Sequence, residues 1–353
     1  LTSTRTPSGR FVTNWGASCP GQTYSTTSSC TVTLTQPTKV RAKLSNGFCA
    51  ESGWCWDSPG PQGNQLRGVW GNGSNVWAVG EGGIIIQWNG TAWTQQSSGT
   101  TDLLLAIWGT DANNIWAVGG AGRIVKWNGT AWTAQTSGTA SNLYGVWGTD
   151  VNNVWAVGVG GTILKWNGVS WTSQASGSAK VLLGVWGTDA NRVWAVGYDG
   201  TIVQWNGTNW TAQTSNVVNH LTGVWGVAAN EVWAVGVAGT ILKWNGSTWT
   251  AQTSGTPNAL YGVWGTATNN VWAVGYGGTI VSWNGTAWRS QTSGTQSLIN
   301  AVWGSDANNV WAVADSGAIV KWNGAGWTSL SSGTQSTLNG VWGTDPESIW
   351  AVG

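Results

Sequence analysis

Charge is scarce in this chain: of 353 residues only 14 are basic and 13 acidic, a formal net charge of +1. The charges are scattered singly, so no basic stripe exists to neutralise phosphates, and nucleic acid is excluded as a partner. No run of about 20 apolar residues appears, so nothing reads as a membrane-spanning helix. Histidine occurs once, at His220. No repeat groups Ser, His and Asp, no His/Cys/Asp cluster has metal-ligand spacing, and no phosphate-cradling loop occurs, so the chain reads as no enzyme, with no cofactor and no metal. Methionine is missing and phenylalanine appears twice. The core must therefore be built from something else.

That something is tryptophan, present 33 times among 54 glycines. Its spacing is regular: Trp70, Trp108, Trp147, Trp186, Trp225, Trp264, Trp303 and Trp342 stand 38 residues apart once and then 39 apart. A fixed period in this range marks supersecondary units that bury their apolar faces only against neighbours. Each unit holds four short runs, Leu-x-Gly-Val-Trp, Val-Trp-Ala-Val, Ile-x-x-Trp and Trp-Thr-x-Gln, separated by Gly, Asn, Asp and Ser clusters. This is strand and turn chemistry, and four strands (A to D) per block read as a β-propeller blade. The repeated indoles belong to the core, each N–H needing an acceptor that Thr, Asn, Gln or strand-end carbonyls could supply.

The first half of the repeat occurs eight times and the second half seven, the last copy stopping at Gly353 after two strands. A ring must close. The segment Gly47 to Trp56 aligns with Gly122 to Trp132 if one residue is dropped, and reads as a degenerate C–D hairpin. The expectation is an all-β, eight-bladed propeller in which Val341 to Thr344 and Ile349 to Val352 pair with Phe48 to Ala50 and Trp54 to Trp56, hiding the sheet edges. A seven-bladed ring is the alternative. Residues 1–45 form a separate small β module and 46–353 the propeller. The start at Leu1 and the stop after Ala-Val-Gly are expected of a piece of a longer precursor.

All four cysteines, Cys19, Cys30, Cys49 and Cys55, lie in the first 55 residues with no histidine near them. An even count in a Gly/Ser/Thr/Asn-rich chain favours disulfides and an oxidising, extracellular compartment. Three pairings are possible; local hairpin geometry prefers Cys19–Cys30 and Cys49–Cys55, the second with Gly53 in a left-handed loop position. Four free buried thiols are the alternative.

Two resemblances add to this. Phe11, Trp15, Gly16, Cys19, Cys30, Val32, Leu34, Val40, Ala42 and Leu44 fit the closing half of bacterial surface repeats related to internalin B-repeats, which implies a bacterial cell-surface or extracellular setting. The Val-Trp-Ala-Val-Gly-x-Gly-Gly-Thr-Ile and Trp-Asn-Gly-Thr-x-Trp segments resemble the Trp-rich propeller repeats of secreted bacterial proteins. More distantly they resemble photosystem assembly-factor and Asp-box repeats, and more weakly tectonin-type lectin repeats. The Ser and Asp of the Asp-box are replaced, so no Asp-box chemistry carries over.

Repeated polar residues have structural readings. Asp111, Asp150, Asp189, Asp306 and Asp345 at the A–B turn supply one carboxylate per blade, too few for calcium, and suit capping of the local backbone. The Asn-Gly-Thr sequons at Asn89, Asn128, Asn206 and Asn284 read as hairpin turns. Informative positions are those that vary. The D–A and B–C loops share one rim, the usual ligand face. At one slot the B–C loop carries Glu81, Gly120, Val159, Tyr198, Val237, Tyr276 and Asp315; the D–A loop carries Asp102, Asn142, Lys180, His220, Asn258, Ser297 and Ser336. Drift in unconstrained loops explains the same scatter. Glu81, Tyr198, Asp199, His220, Tyr276 and Asp315 are the candidate ligand-binding residues, aromatic planes and carboxylates suiting sugar faces and hydroxyls. The expected function is a secreted, non-catalytic binding or adhesion module for glycans or surface polymers. The rival is a self-associating structural subunit of an extracellular filament, sheath or surface layer.

Overall fold

A computed structural model describes the backbone of 11–15 and 42–45, then Trp54, then residues 63–353. Strands Phe11–Trp15 and Ala42–Ser45 pair antiparallel. The four cysteines, and hence both expected disulfides, lie outside the described residues.

From Leu66 onward the chain winds into consecutive four-stranded antiparallel sheets, spanning 66–96, 104–135, 143–174, 182–213, 221–252, 260–291 and 299–331. These are the blades, one to seven. Blade four shows the pattern: strand A Leu182–Asp189, B Arg192–Gly197, a short turn Tyr198–Gly200, C Ile202–Trp205 and D Trp210–Gln213. Strand A carries a bulge between Leu182 and Gly184. After blade seven, Gly340–Asp345 and Ser348–Val352 form a two-stranded ribbon. The ribbon joins the last blade to the first, since Asn339 Nδ2 donates to the Leu66 carbonyl oxygen at 2.8 Å.

The eight-bladed expectation is therefore corrected: the described residues form a seven-bladed propeller of four-stranded blades. Counting half-repeats overstates the number, because a blade is complete only when four strands share one sheet, and the eighth copy brings two. Of the segments expected to complete it, Phe48 to Ala50 and Trp54 to Trp56, all but Trp54 lie outside the described residues. Trp54 is not in a strand; it packs on the cluster of Trp311, Val313, Ile319, Leu338 and Val341.

Blades bind one another through the tryptophans. Strand B, Val-Trp-Ala-Val, lies between two blades and is buried throughout, which is why it reads as an unbroken apolar run. Between blades two and three, Trp116, Val118 and Ile124 of one sheet meet Leu143, Val146, Val154, Ala156, Leu164, Trp166 and Trp171 of the next. The A-strand indoles lean in one rotary sense: Trp186 stacks on Trp194 in its own blade at 6.1 Å and touches Trp225 of the next at 6.4 Å. A glycine follows each A-strand Trp to admit the indole from the preceding blade. A Cβ on Gly109 would stand 2.7 Å from Trp70 Cη2.

The expected indole acceptors are only partly present. C-strand indoles donate to the A–B turn, as Trp205 Nε1 does to the Ala190 carbonyl oxygen at 3.0 Å. Buried Nε1 groups of B-strand Trp116, Trp155 and Trp194 and of D-strand Trp171 and Trp210 have no acceptor among the described residues. Cations sit on some of these rings instead. Lys165 Nζ lies 5.2 Å from the Trp155 ring and 5.0 Å from that of Trp205, and burial between them lowers its pKa against the raising effect of Asp150.

Candidate ligand-binding rim

The rim is set by a main-chain bond repeated in each blade, from the first residue of the B–C turn to the carbonyl just before strand A. Tyr198 N–H donates to the Val181 oxygen at 2.9 Å, Tyr276 N–H to Ala259 at 2.8 Å and Asp315 N–H to Leu298 at 2.9 Å. Side chains at these slots are thus fixed on the D–A/B–C side without serving the core.

At the opposite end of the strands the polar repeats serve the backbone. Asn206 Oδ1 accepts the N–H groups of Thr208 at 3.0 Å and Asn209 at 2.9 Å, with Gly207 at φ +95°. The turn needs its glycine for the dihedral and its asparagine for the cap. Asp306 Oδ1 likewise accepts Asn308 N–H at 2.9 Å, a bond that, with Asn309 and Ser305, lowers the Asp306 pKa despite burial. Among the described residues no three His, Cys, Asp or Glu side chains gather as a metal site.

The structure spreads the predicted rim residues around the ring and brings three together. Glu81 is paired with Arg67 Nη2 at 3.0 Å in blade one. Asp315 accepts Asn300 Nδ2 at 3.0 Å in blade seven. Tyr276, in blade six, is 60% exposed. Tyr198, Asp199 and His220 meet where blade four adjoins blade five. The Tyr198 ring, 40% exposed, lies parallel to the His220 imidazole with centroids 4.2 Å apart. Asp199 N–H donates to His220 Nδ1 at 3.0 Å, and Lys180 Nζ donates to Asp199 Oδ2 at 2.5 Å. The Lys180 bond chiefly, with smaller attractions to Lys180 and His220, holds the Asp199 carboxyl below its usual range against partial desolvation.

Lys180, named in the sequence only as a variable D–A residue, joins this corner through Asp199, and Val218 of the adjoining D–A loop was not singled out. Val218, two residues before His220, is 83% exposed. Its loop departs in sequence and not in backbone: Asn216 holds a left-handed φ of +58° where sister turns use glycine, as at Gly138, Gly177 and Gly255. The signal was present in Ser-Asn-Val-Val-Asn-His replacing the usual Ser-Gly-Thr opening. The D–A slot is also not one slot: Asn142 and His220 stand one position later in the repeat than Asp102, Lys180 and Asn258. Elsewhere a groove of about 600 Å³ opens beside Thr101, Asp102 and Arg123. Arg123 Nη2 and Nε bond Asp102 Oδ2 at 2.6 and 2.9 Å there, so the groove's strongest charges satisfy each other.

No protein-family model matches the chain, nor does any curated protein. Solved structures do match. A computationally designed protein, Ika8, superposes with a TM-score of 0.69 at 19% identity, covering 82% of this chain and 96% of its own. The C-terminal WD40 domain of Sif2 gives 0.66 at 15% identity, covering 82% and 95%. YCF48 bound to D1 peptide gives 0.57 at 17% identity, covering 71% and 90%. By fold, the chain stands among the β-propellers. At these identities the likeness establishes architecture alone, and neither the internalin-like module nor a bacterial origin follows from it.

Proposed function

We propose that this propeller is a non-catalytic binding module that holds a polypeptide segment of a partner on the D–A/B–C rim where blades four and five meet. One observation carries the reading: departures from an otherwise strict repeat gather there in space. Tyr198, Asp199, His220 and Lys180 meet there, with Asn216 and Val218 in the adjoining D–A loop; none is needed by the repeat, and they set exposed apolar and aromatic surface beside the Lys180–Asp199 ion pair. Such mixed corners suit protein surfaces, where aromatic anchors lie beside polar groups. The peptide named with the YCF48 structure supports this choice of ligand class.

A saccharide is the second reading, favoured by the exposed rings of Tyr198 and Tyr276 and the carboxylate of Asp199. An extracellular setting belongs to the proposal and rests on the four cysteines near the N-terminus; four alkylatable thiols in the non-reduced protein would remove that support. The deciding experiment screens the wild type and the Tyr198→Ala/Tyr276→Ala variant on a peptide library and a glycan array. Peptide binding lost in the variant, with the melting temperature nearly unchanged, is the expected result. Glycan binding lost instead selects the second reading. Concentration-dependent self-association with no ligand of either kind would favour the structural subunit and end the proposal.

A further inference from the structure

His220 is the only histidine of 353 residues and is used as an acceptor. Its Nδ1 takes the Asp199 N–H at 3.0 Å, an arrangement that a ring carrying its proton on Nε2 satisfies. The same inter-blade bond occurs two blades earlier with a different acceptor. There Asn142, 78 residues before His220 and hence at the same repeat position, accepts the Ala121 N–H through Oδ1 at 2.9 Å. An amide oxygen cannot be turned into a donor by a proton; an imidazole nitrogen can.

We infer that His220 is a pH-operated latch between blades four and five on the proposed ligand rim. The inference rests on that rim being the binding surface. In the neutral ring Nδ1 closes the latch and Tyr198 lies on the imidazole face. A proton taken up by Nδ1 turns this acceptor into a donor facing another donor, and the Asp199 N–H bond opens. The imidazolium then turns to the Asp199 carboxylate, whose Oδ1 already lies 3.4 Å from Nδ1. The charged and titratable groups facing the ring are Asp199 and Tyr198 from the B–C turn, and Lys180 through Asp199. The Asp199 carboxyl, held below the usual carboxylate range chiefly by Lys180, supplies the negative partner for an imidazolium. Turning the ring removes the parallel support of Tyr198, so the exposed anchor of the rim changes position with the proton.

The test compares amide hydrogen exchange at Asp199 and Ala121 in one deuterated sample by NMR, from about pH 8 to about pH 5. The intrinsic pH dependence divides out of the ratio, because exchange at both amides is hydroxide-catalysed over this range. The Asp199:Ala121 ratio is expected to rise about fivefold on acidification, the worth of one ordinary hydrogen bond, and to stay constant in His220→Asn, which copies Asn142. A constant ratio in the wild type, or an equal rise in H220N, overturns the inference. Should H220N not fold, the nitrogen signals of the single imidazole decide. An Nε2–H tautomer at high pH that gains its second proton in step with the Asp199 amide supports the latch, and an Nδ1–H tautomer overturns it. A latch that titrates while Y198A/Y276A leaves every ligand bound supports this inference and sinks the binding proposal, so the two fail separately.

Discussion

Gly109→Ala tests the packing that holds blade to blade. The backbone at Gly109 is ordinary extended strand, so alanine carries no dihedral penalty and should gain about 0.4–1 kcal/mol from the stiffer unfolded chain. Against this, the new Cβ would lie 2.7 Å from Cη2 and 2.8 Å from Cζ3 of Trp70, with the Asn114 oxygen next at 3.0 Å. The indole cannot retreat, because it lies on Trp77 at 5.9 Å within its own sheet. Overpacking of this kind costs about 1–3 kcal/mol, so a net loss of about 1–2 kcal/mol is predicted. Trp70→Leu should itself destabilise by leaving a void, but in the double variant the Cβ has room, and the two losses should fall short of additive by at least about 0.5 kcal/mol. Urea unfolding of the four proteins measures this cycle. A neutral or stabilising Gly109→Ala, or strict additivity, would refute the view that these glycines exist to admit the preceding blade's tryptophan.

Gln204 occupies the C-strand place that Lys165 and Lys243 hold beneath two indoles; Gln204→Lys should therefore raise stability by about 0.5–1 kcal/mol through a new cation–π pair, seen as a higher urea midpoint. Lys243 Nζ lies 4.8 and 5.1 Å from the Trp233 and Trp283 rings and 2.8 Å from Glu231 Oε1. Lys243→Met should destabilise, and Glu231→Gln in the same chain should recover part of the loss by removing the stranded carboxylate, which thermal unfolding can check. The Asp306 carboxyl, lowered mainly by the Asn308 N–H, contributes stability that is present above the ordinary carboxylate pKa of about 3.9 and vanishes as pH falls through the lower folded value. Asp306→Asn should thus be less stable than the wild type at neutral pH, with the difference closing near about pH 2; a difference independent of pH would contradict the assignment.

The strands, their order within a blade and the dominance of tryptophan were legible in the sequence because each blade is local. Its four strands are adjacent in the chain, and short apolar runs punctuated by Gly, Asn and Asp specify them without reference to distant residues. The same locality made the capping role of Asp306 readable and marked Asn206 as a turn residue, since both bond main chain two or three residues away. Closure was not legible. Repeat counting cannot say whether the two strands of 340–352 complete a sheet, because that depends on what lies beside them in space, and the count of eight blades failed at that point. Nor could the sequence show which variable rim residues meet. Glu81 and Asp315 are spent on Arg67 and Asn300 within their own blades, whereas Tyr198 and His220, 22 positions apart, face each other across a blade junction. The sequence by itself determined the blade; the ring decided which blades touch, which indoles find acceptors, and where the exceptions to the repeat come together, since these depend on packing between units that the local code leaves open.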